Sequence, residues 1–157
     1  MEFSLELARL IDASEIARMS RDLIEAGLQW RWTSRRVGAA VRHPRTNVVV
    51  ACARNGIAGF GIMRYGDDQA HLDLLAVDPE FRRAGLGRLL LGWLEKPALL
   101  GGITSVVLEV RERNPGAQIF YERLGYRRVE RIANYYDGRE SAIRMRHDLA
   151  HSGQPVE

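Results

Sequence analysis

Arg82, Arg83, Ala84, Gly85, Leu86, Gly87 and Arg88 form a short basic, glycine-containing string between two apolar runs. The run before it ends at Val77 and the run after it, residues 89–94, has the composition of a buried-face helix. A strand-to-helix turn of this kind brings backbone N–H groups and the positive end of a helix dipole to one spot, which suits an anion. Glycine lets ligand oxygens approach the amides, and the guanidinium groups add charge-assisted hydrogen bonds, so the residue types fit a pyrophosphate. Two glycines that merely turn the chain are the alternative reading. The chain contains neither GxGxxG with a following ribose-binding acid nor GxxxxGK followed by Ser or Thr, so dinucleotide and P-loop sites are set aside.

Other reactive residue types give weaker patterns. His43, His71, His147 and His151 have no metal-site spacing, no nucleophile elbow is present, and we expect no metal. Cys52 sits in an apolar run and reads as a buried, inert thiol. Of 23 basic residues only Lys96 is lysine, so 22 are arginine, with a net charge of +3. Those arginines occur singly or in pairs among acids, unlike the concentrated face of a nucleic-acid binder, and a bound anionic cofactor accounts for the excess. A nucleic-acid-binding domain remains a separate reading, marked by steep salt dependence.

The elements that must position these residues follow from periodicity and turn chemistry. Residues 3–7 alternate as a strand, and Asp12 with Glu15 starts a helix to about Arg21. Thr33 is an N-cap for a helix over 34–41, stopped by Arg42, His43 and Pro44. Residues 47–53 and 57–65 read as a hairpin with Asn55 and Gly56 in a type I′ turn, and 70–77 as the next strand after Gly66. A helix from Leu86 should end or kink at Pro97, with a break at Gly101 and Gly102 before a strand over 105–110. Asn114 caps a helix over 116–124, with Pro115 in its first turn and Gly125 just past its end. Strands over 126–132 and 141–149 flank Asp137 and Gly138. The order is β, α, α, β, β, β, α, β, α, β, β, a mixed α/β domain over 1–150 with a disordered tail at 151–157.

The string LLAVDPEFRRAGLG at 74–87 resembles the acetyl-CoA-binding motif of the GNAT N-acetyltransferase superfamily. LEVR at 108–111, NPGA at 114–117, FYERLGY at 120–126 and NYY at 134–136 resemble its RimI-type branch of ribosomal-protein alanine N-acetyltransferases. The resemblance covers roughly residues 70–149. It implies one GNAT-like domain: a mostly antiparallel sheet with a splayed central parallel strand pair (72–77 and 105–110), flanked by helices. Acetyl-CoA would be the cosubstrate. The backbone of Leu75, Ala76 and Val77 would pair with its pantetheine arm, residues 82–88 would hold the pyrophosphate, and Asn114 would contact the cofactor further along. Glu109 occupies the position of the branch's proton acceptor, directly or through water, and Tyr121, twelve positions on, that of the acid for the departing thiolate. A solvent-face strand glutamate and a core-packing tyrosine beside Ile119, Phe120 and Leu124 are the alternative readings.

The branch's Pro-Trp-Ser element has no counterpart in residues 27–34, which contain Trp30 and Trp32 but no proline. The resemblance implies a primary amine as acceptor, and this departure leaves open whether it is a protein's N-terminal alanine, a small amine or an amino acid. A CoA-binding regulatory module without turnover is a further alternative. We expect a cytoplasmic monomer or homodimer without nucleic-acid or membrane partners. No apolar run approaches membrane-spanning length, and residues 1–10 lack a basic segment followed by an apolar one.

Overall fold

The computed structural model describes residues 3–82 and 84–149. The elements are β1 (Ser4–Leu7), α1 (Ala13–Leu23), α2 (Ser34–Arg42), β2 (Thr46–Ala53), β3 (Gly56–Tyr65), β4 (Gln69–Val77), α3 (Leu86–Leu100), β5 (Ser105–Arg111), α4 (Pro115–Arg123), β6 (Arg127–Tyr136) and β7 (Glu140–Asp148). This is the order read from the sequence. The expected tail at 151–157 lies outside the described residues.

The chain forms two compact units. The first comprises the described residues of 1–64 and 72–96. Here β1, β2, β3 and the Leu72–Val77 part of β4 are neighbours in that order, with β1–β2 and β2–β3 antiparallel. A core of Ile16, Met19, Val37, Val50, Phe60 and Ile62 lies where α1 and α2 bury their apolar stripes. The helix α3 turns Leu86, Leu90, Leu91 and Leu94 inward, and it lies close to β3 because β3 carries glycines there. A Cβ at Gly61 would come within 2.7 Å of Leu94 Cδ1, and one at Gly59 within 3.0 Å of the Ala76 carbonyl and Leu90 Cδ1.

The second unit comprises 65–71 and the described residues from 97. Its strand order is β4, β5, β7, β6. The start of β4 pairs parallel with β5 (Gln69↔Ser105, Ala70↔Val106, His71↔Val107), whereas β5–β7 and β6–β7 are antiparallel. The implied parallel pair is thus present in an otherwise antiparallel arrangement. Asn114 caps α4, its Oδ1 accepting from the Ala117 N–H at 3.1 Å, and Gly125 after the helix has φ +98°.

Three local expectations are corrected. Asn55 and Gly56 do not form a type I′ turn: Ala53 pairs with Gly56, which leaves Arg54 and Asn55 as the turn, and Gly56 alone of that group has positive φ. A register shift at Ala51 and Cys52 moves the turn by one residue. The pair with positive φ at both positions is Asp137 (+53°) and Gly138 (+68°), closed by the Arg139 N–H to the Tyr136 carbonyl. Pro97 does not end α3, which runs on to Leu100. The apolar face of α3 continues through it with Leu94 and Ala98 fully buried, and that packing outweighs the one backbone bond that proline cannot donate. In α4 the buried residues are Gln118 and Tyr121 rather than Ile119, which is 47% exposed. Gln118 is satisfied there because its Nε2 donates to the Arg111 and Glu112 carbonyls.

Candidate active site

In the first unit the basic string forms the entry to α3. Gly85 has φ +74°, a left-handed conformation that side chains disfavour, and a Cβ built on it would meet nothing within 4 Å. Its carbonyl accepts from the Leu89 N–H at 3.1 Å, so the N–H groups of Leu86, Gly87 and Arg88 are the first-turn donors that the helix itself does not use. Leu86 buries its side chain and thereby anchors the turn, whereas Arg82, Ala84, Gly85 and Arg88 are exposed. Arg83 lies outside the described residues. This is an anion-binding geometry of amides, dipole and flanking cations. Just upstream, Arg82 Nε donates to the Val77 carbonyl at 3.3 Å. Leu75 and Val77 are half-buried on β4 and alternate with the buried Leu74 and Ala76.

In the second unit Glu109 is not on a solvent face. Its side chain is 7% exposed, and its oxygens are divided between partners: Oε1 faces His71 Nε2 at 2.7 Å and Oε2 accepts from Arg144 Nε at 2.9 Å. The Tyr135 hydroxyl donates to Oε1 at 3.4 Å. Burial raises the Glu109 pKa, but the hydrogen bonds from His71 and Arg144 and their charge outweigh it and hold the carboxyl below its ordinary value. Such a carboxylate is a poor proton acceptor by itself and a good partner for a histidine. Arg144 continues to Glu130 Oε1 at 3.0 Å.

Tyr121, on α4, packs edge-on against Phe120 (5.0 Å) and Tyr126 (5.6 Å). Burial, and secondarily the nearby Tyr136, pushes its hydroxyl well above the ordinary phenol range, so it is a neutral donor throughout the working pH range. Tyr136 is raised as well, chiefly by burial and then by Tyr135 and Glu109, so its environment includes both Glu109 and Tyr121. The structure therefore sets Glu109 and Tyr121 among one group of second-unit side chains, with Asn114 capping the helix that carries Tyr121. Sequence reasoning had set aside His71 as a metal ligand and did not find its pairing with Glu109, nor Arg144 or Glu130. Each of these is an ordinary strand residue until the register is known.

The segment before α2 is held by Glu25, whose buried carboxylate accepts from Ser20 Oγ (2.7 Å) and from the Arg31 N–H (2.7 Å). Arg36 stacks over the Trp32 ring at 3.9 Å and Arg21 over Trp30 at 5.5 Å, so these indoles are not simple core residues. The Cys52 thiol, half-buried beside Glu6, is pushed up by burial and by that carboxylate, which keeps it protonated and inert. Among the described residues no cluster of three or more His, Cys, Asp and Glu side chains could hold a metal ion, and no helix is long and apolar enough to cross a membrane.

Comparison with known proteins matches residues 9–126 to the Acetyltransferase (GNAT) family. A stretch of 96 residues is 43% identical to the ribosomal protein bS18-alanine N-acetyltransferase of Escherichia coli, covering 59% of this chain and 65% of that protein. The alignment thus spans just under two thirds of that relative's length. The crystal structure of the corresponding E. coli enzyme superposes with a TM-score of 0.79 at 28% identity, covering 99% of each chain. A nourseothricin acetyltransferase structure matches with a TM-score of 0.64 at 29% identity, over 68% of this chain and 66% of that one.

Proposed function

The chain belongs to the acetyltransferase (GNAT) family, and on that premise we propose that it is a cytoplasmic N-acetyltransferase. It moves the acetyl group of acetyl-CoA to a primary amine, with a protein's N-terminal alanine as the acceptor. The observation that carries this reading is the part-buried His71–Glu109 pair, which together with the protonated Tyr121 hydroxyl can supply the base and the acid that amide formation requires. The 43% identity to an alanine N-acetyltransferase supports the acceptor.

Each group has a stated part in the reaction. The Leu86, Gly87 and Arg88 amides, with Arg82, Arg83, Ala84, Gly85 and the Arg88 side chain, hold the pyrophosphate of acetyl-CoA. The backbone of Leu75, Ala76 and Val77 takes its pantetheine arm as an added strand, and Asn114 contacts it further on. Arg82 gives up its bond to the Val77 carbonyl when that carbonyl is engaged. The amine lone pair attacks the thioester carbon, forming C–N as C–S breaks. The amine's proton passes to the His71–Glu109 pair, and the departing thiolate takes the Tyr121 proton. Solvent restores both groups.

Thiol release from acetyl-CoA, followed across peptides that differ only in their first residue, tests the reading. We expect turnover with N-terminal alanine and loss of at least about tenfold when that residue is enlarged, as for a tight apolar pocket. A blocked N-terminus should give none. No thiol release with any peptide or amine would refute it. A small-molecule amine as the acceptor is favoured by one observation, the likeness to the nourseothricin enzyme. It predicts faster release with small-molecule amines than with any peptide.

A further inference from the structure

His71, Glu109, Arg144 and Glu130 form a continuous hydrogen-bonded row across the second unit's strands. Glu109 and Arg144 are Cα partners between β5 and β7, and Arg144 and Glu130 are partners between β7 and β6. His71 is the partner of Val107, two residues before Glu109 and therefore on the same face of β5. The contacts run 2.7, 2.9 and 3.0 Å along the row, and exposure rises from 7% at Glu109 through 36% at Arg144 to 57% at Glu130. Arg144 donates from two different nitrogens, Nε to Glu109 and Nη1 to Glu130, so its guanidinium plane is fixed at both ends. A glutamate's terminal torsion is soft. Pinning Oε2 therefore decides where Oε1 points.

We propose that Arg144, braced by Glu130, is a positioning residue that aims Glu109 Oε1 at His71, so that the imidazole takes the acceptor amine's proton while the carboxylate remains an anion beside it. The inference rests on the reaction proposed above. The proton leaves the amine for the imidazole, the imidazolium is stabilised by Glu109, and water then removes the proton. The groups facing Glu109 are His71 from β4, Tyr135 and Tyr136 from β6, and Arg144 from β7. Of these, Arg144 is the fixed cation, and its depressing effect on the carboxyl agrees with the assigned role.

The test compares wild type with R144M, R144K and E130Q. It uses carbon-13 NMR titration of the Glu109 carboxyl, and thiol release from acetyl-CoA against pH with an alanine N-terminal peptide. We expect R144M to raise the Glu109 midpoint by about one unit or more and to lower kcat about tenfold or more with KM for acetyl-CoA unchanged. R144K should restore part of both, and E130Q should move the midpoint in the same direction by less. E130Q leaves Arg144 in place and so keeps the test valid should R144M fold poorly. A Glu109 midpoint and kcat within twofold of wild type in R144M and E130Q, with only a lower Tm, would make the row a structural clasp and overturn the inference. A wild type that releases no thiol from any amine, while the midpoint still moves, refutes the proposed reaction and leaves the positioning of Glu109 standing.

Discussion

Glu109 is pulled one way by burial and the other way by its hydrogen-bond partners His71 and Arg144, and the partners win. Its folded-state pKa is depressed, so the group contributes stability that is present above its unfolded value, about 4.3, and is lost as pH falls through the lower folded value. The Tm of wild type should therefore exceed that of E109Q at neutral pH, and the gap should close below roughly pH 4. A gap that stayed constant down to pH 2 would show that the carboxylate's charge has no part in holding the second unit. Tyr121 makes the opposite prediction, because its ring packs while the proposed role falls to its hydroxyl. Y121F should keep Tm within a degree or two of wild type and lower kcat by roughly 10 to 10⁴-fold, by calorimetry and steady-state thiol release. Unchanged turnover would return Tyr121 to a packing role alone.

In the helix α3, one end follows a left-handed glycine and the interior carries a proline. Gly85 sits at φ +74° with open space where a side chain would be, so G85A costs about 1–2 kcal/mol of backbone strain without a steric clash. We expect G85A to weaken acetyl-CoA binding in calorimetric titration by more than it lowers Tm, since the methyl enters the space over the amides. Gly125 differs: at φ +98° its Cβ would also come within 2.8 Å of His147 Nε2, so G125A should lower Tm further than G85A does. Pro97 removes one N–H from the interior of α3. P97A restores that bond to the Trp93 carbonyl and should raise Tm by a few degrees, offset in part by the looser unfolded chain. A fall in Tm would mean that the ring itself packs better than alanine.

At the scale of the whole molecule, the proposed acetyl-CoA binding should appear as stability, because a ligand that binds only the folded chain stabilises it. At 100 times its dissociation constant it adds about 2.7 kcal/mol, a rise in Tm of roughly 5–10 °C for a chain of this size. A duplex DNA at moderate salt should leave Tm unchanged, in keeping with arginines that are dispersed and engaged with acids, as in Arg18–Glu15, Arg64–Asp73 and Arg111–Glu140. These ion pairs show where the arginine excess is used in the fold. A shift with DNA that vanished at high salt would revive the nucleic-acid reading.

The order of elements, the cap at Asn114 and the glycine turn at Gly85 were legible in the chain itself. Each depends on local rules or on a string of neighbouring residues: hydrophobic period, capping chemistry, positive φ, a family motif. What was misread depends on neighbours distant in sequence. The hairpin turn moved by one residue because a bulge at Ala51 and Cys52 sets its register, and α3 ran on past Pro97 because Leu94 and Ala98 on either side of it are buried. The environment of Glu109 was also decided by tertiary structure alone. His71, Arg144 and Glu130 lie 38, 35 and 21 positions from it, and only strand register brings them into one row, in which Glu109 is the buried member.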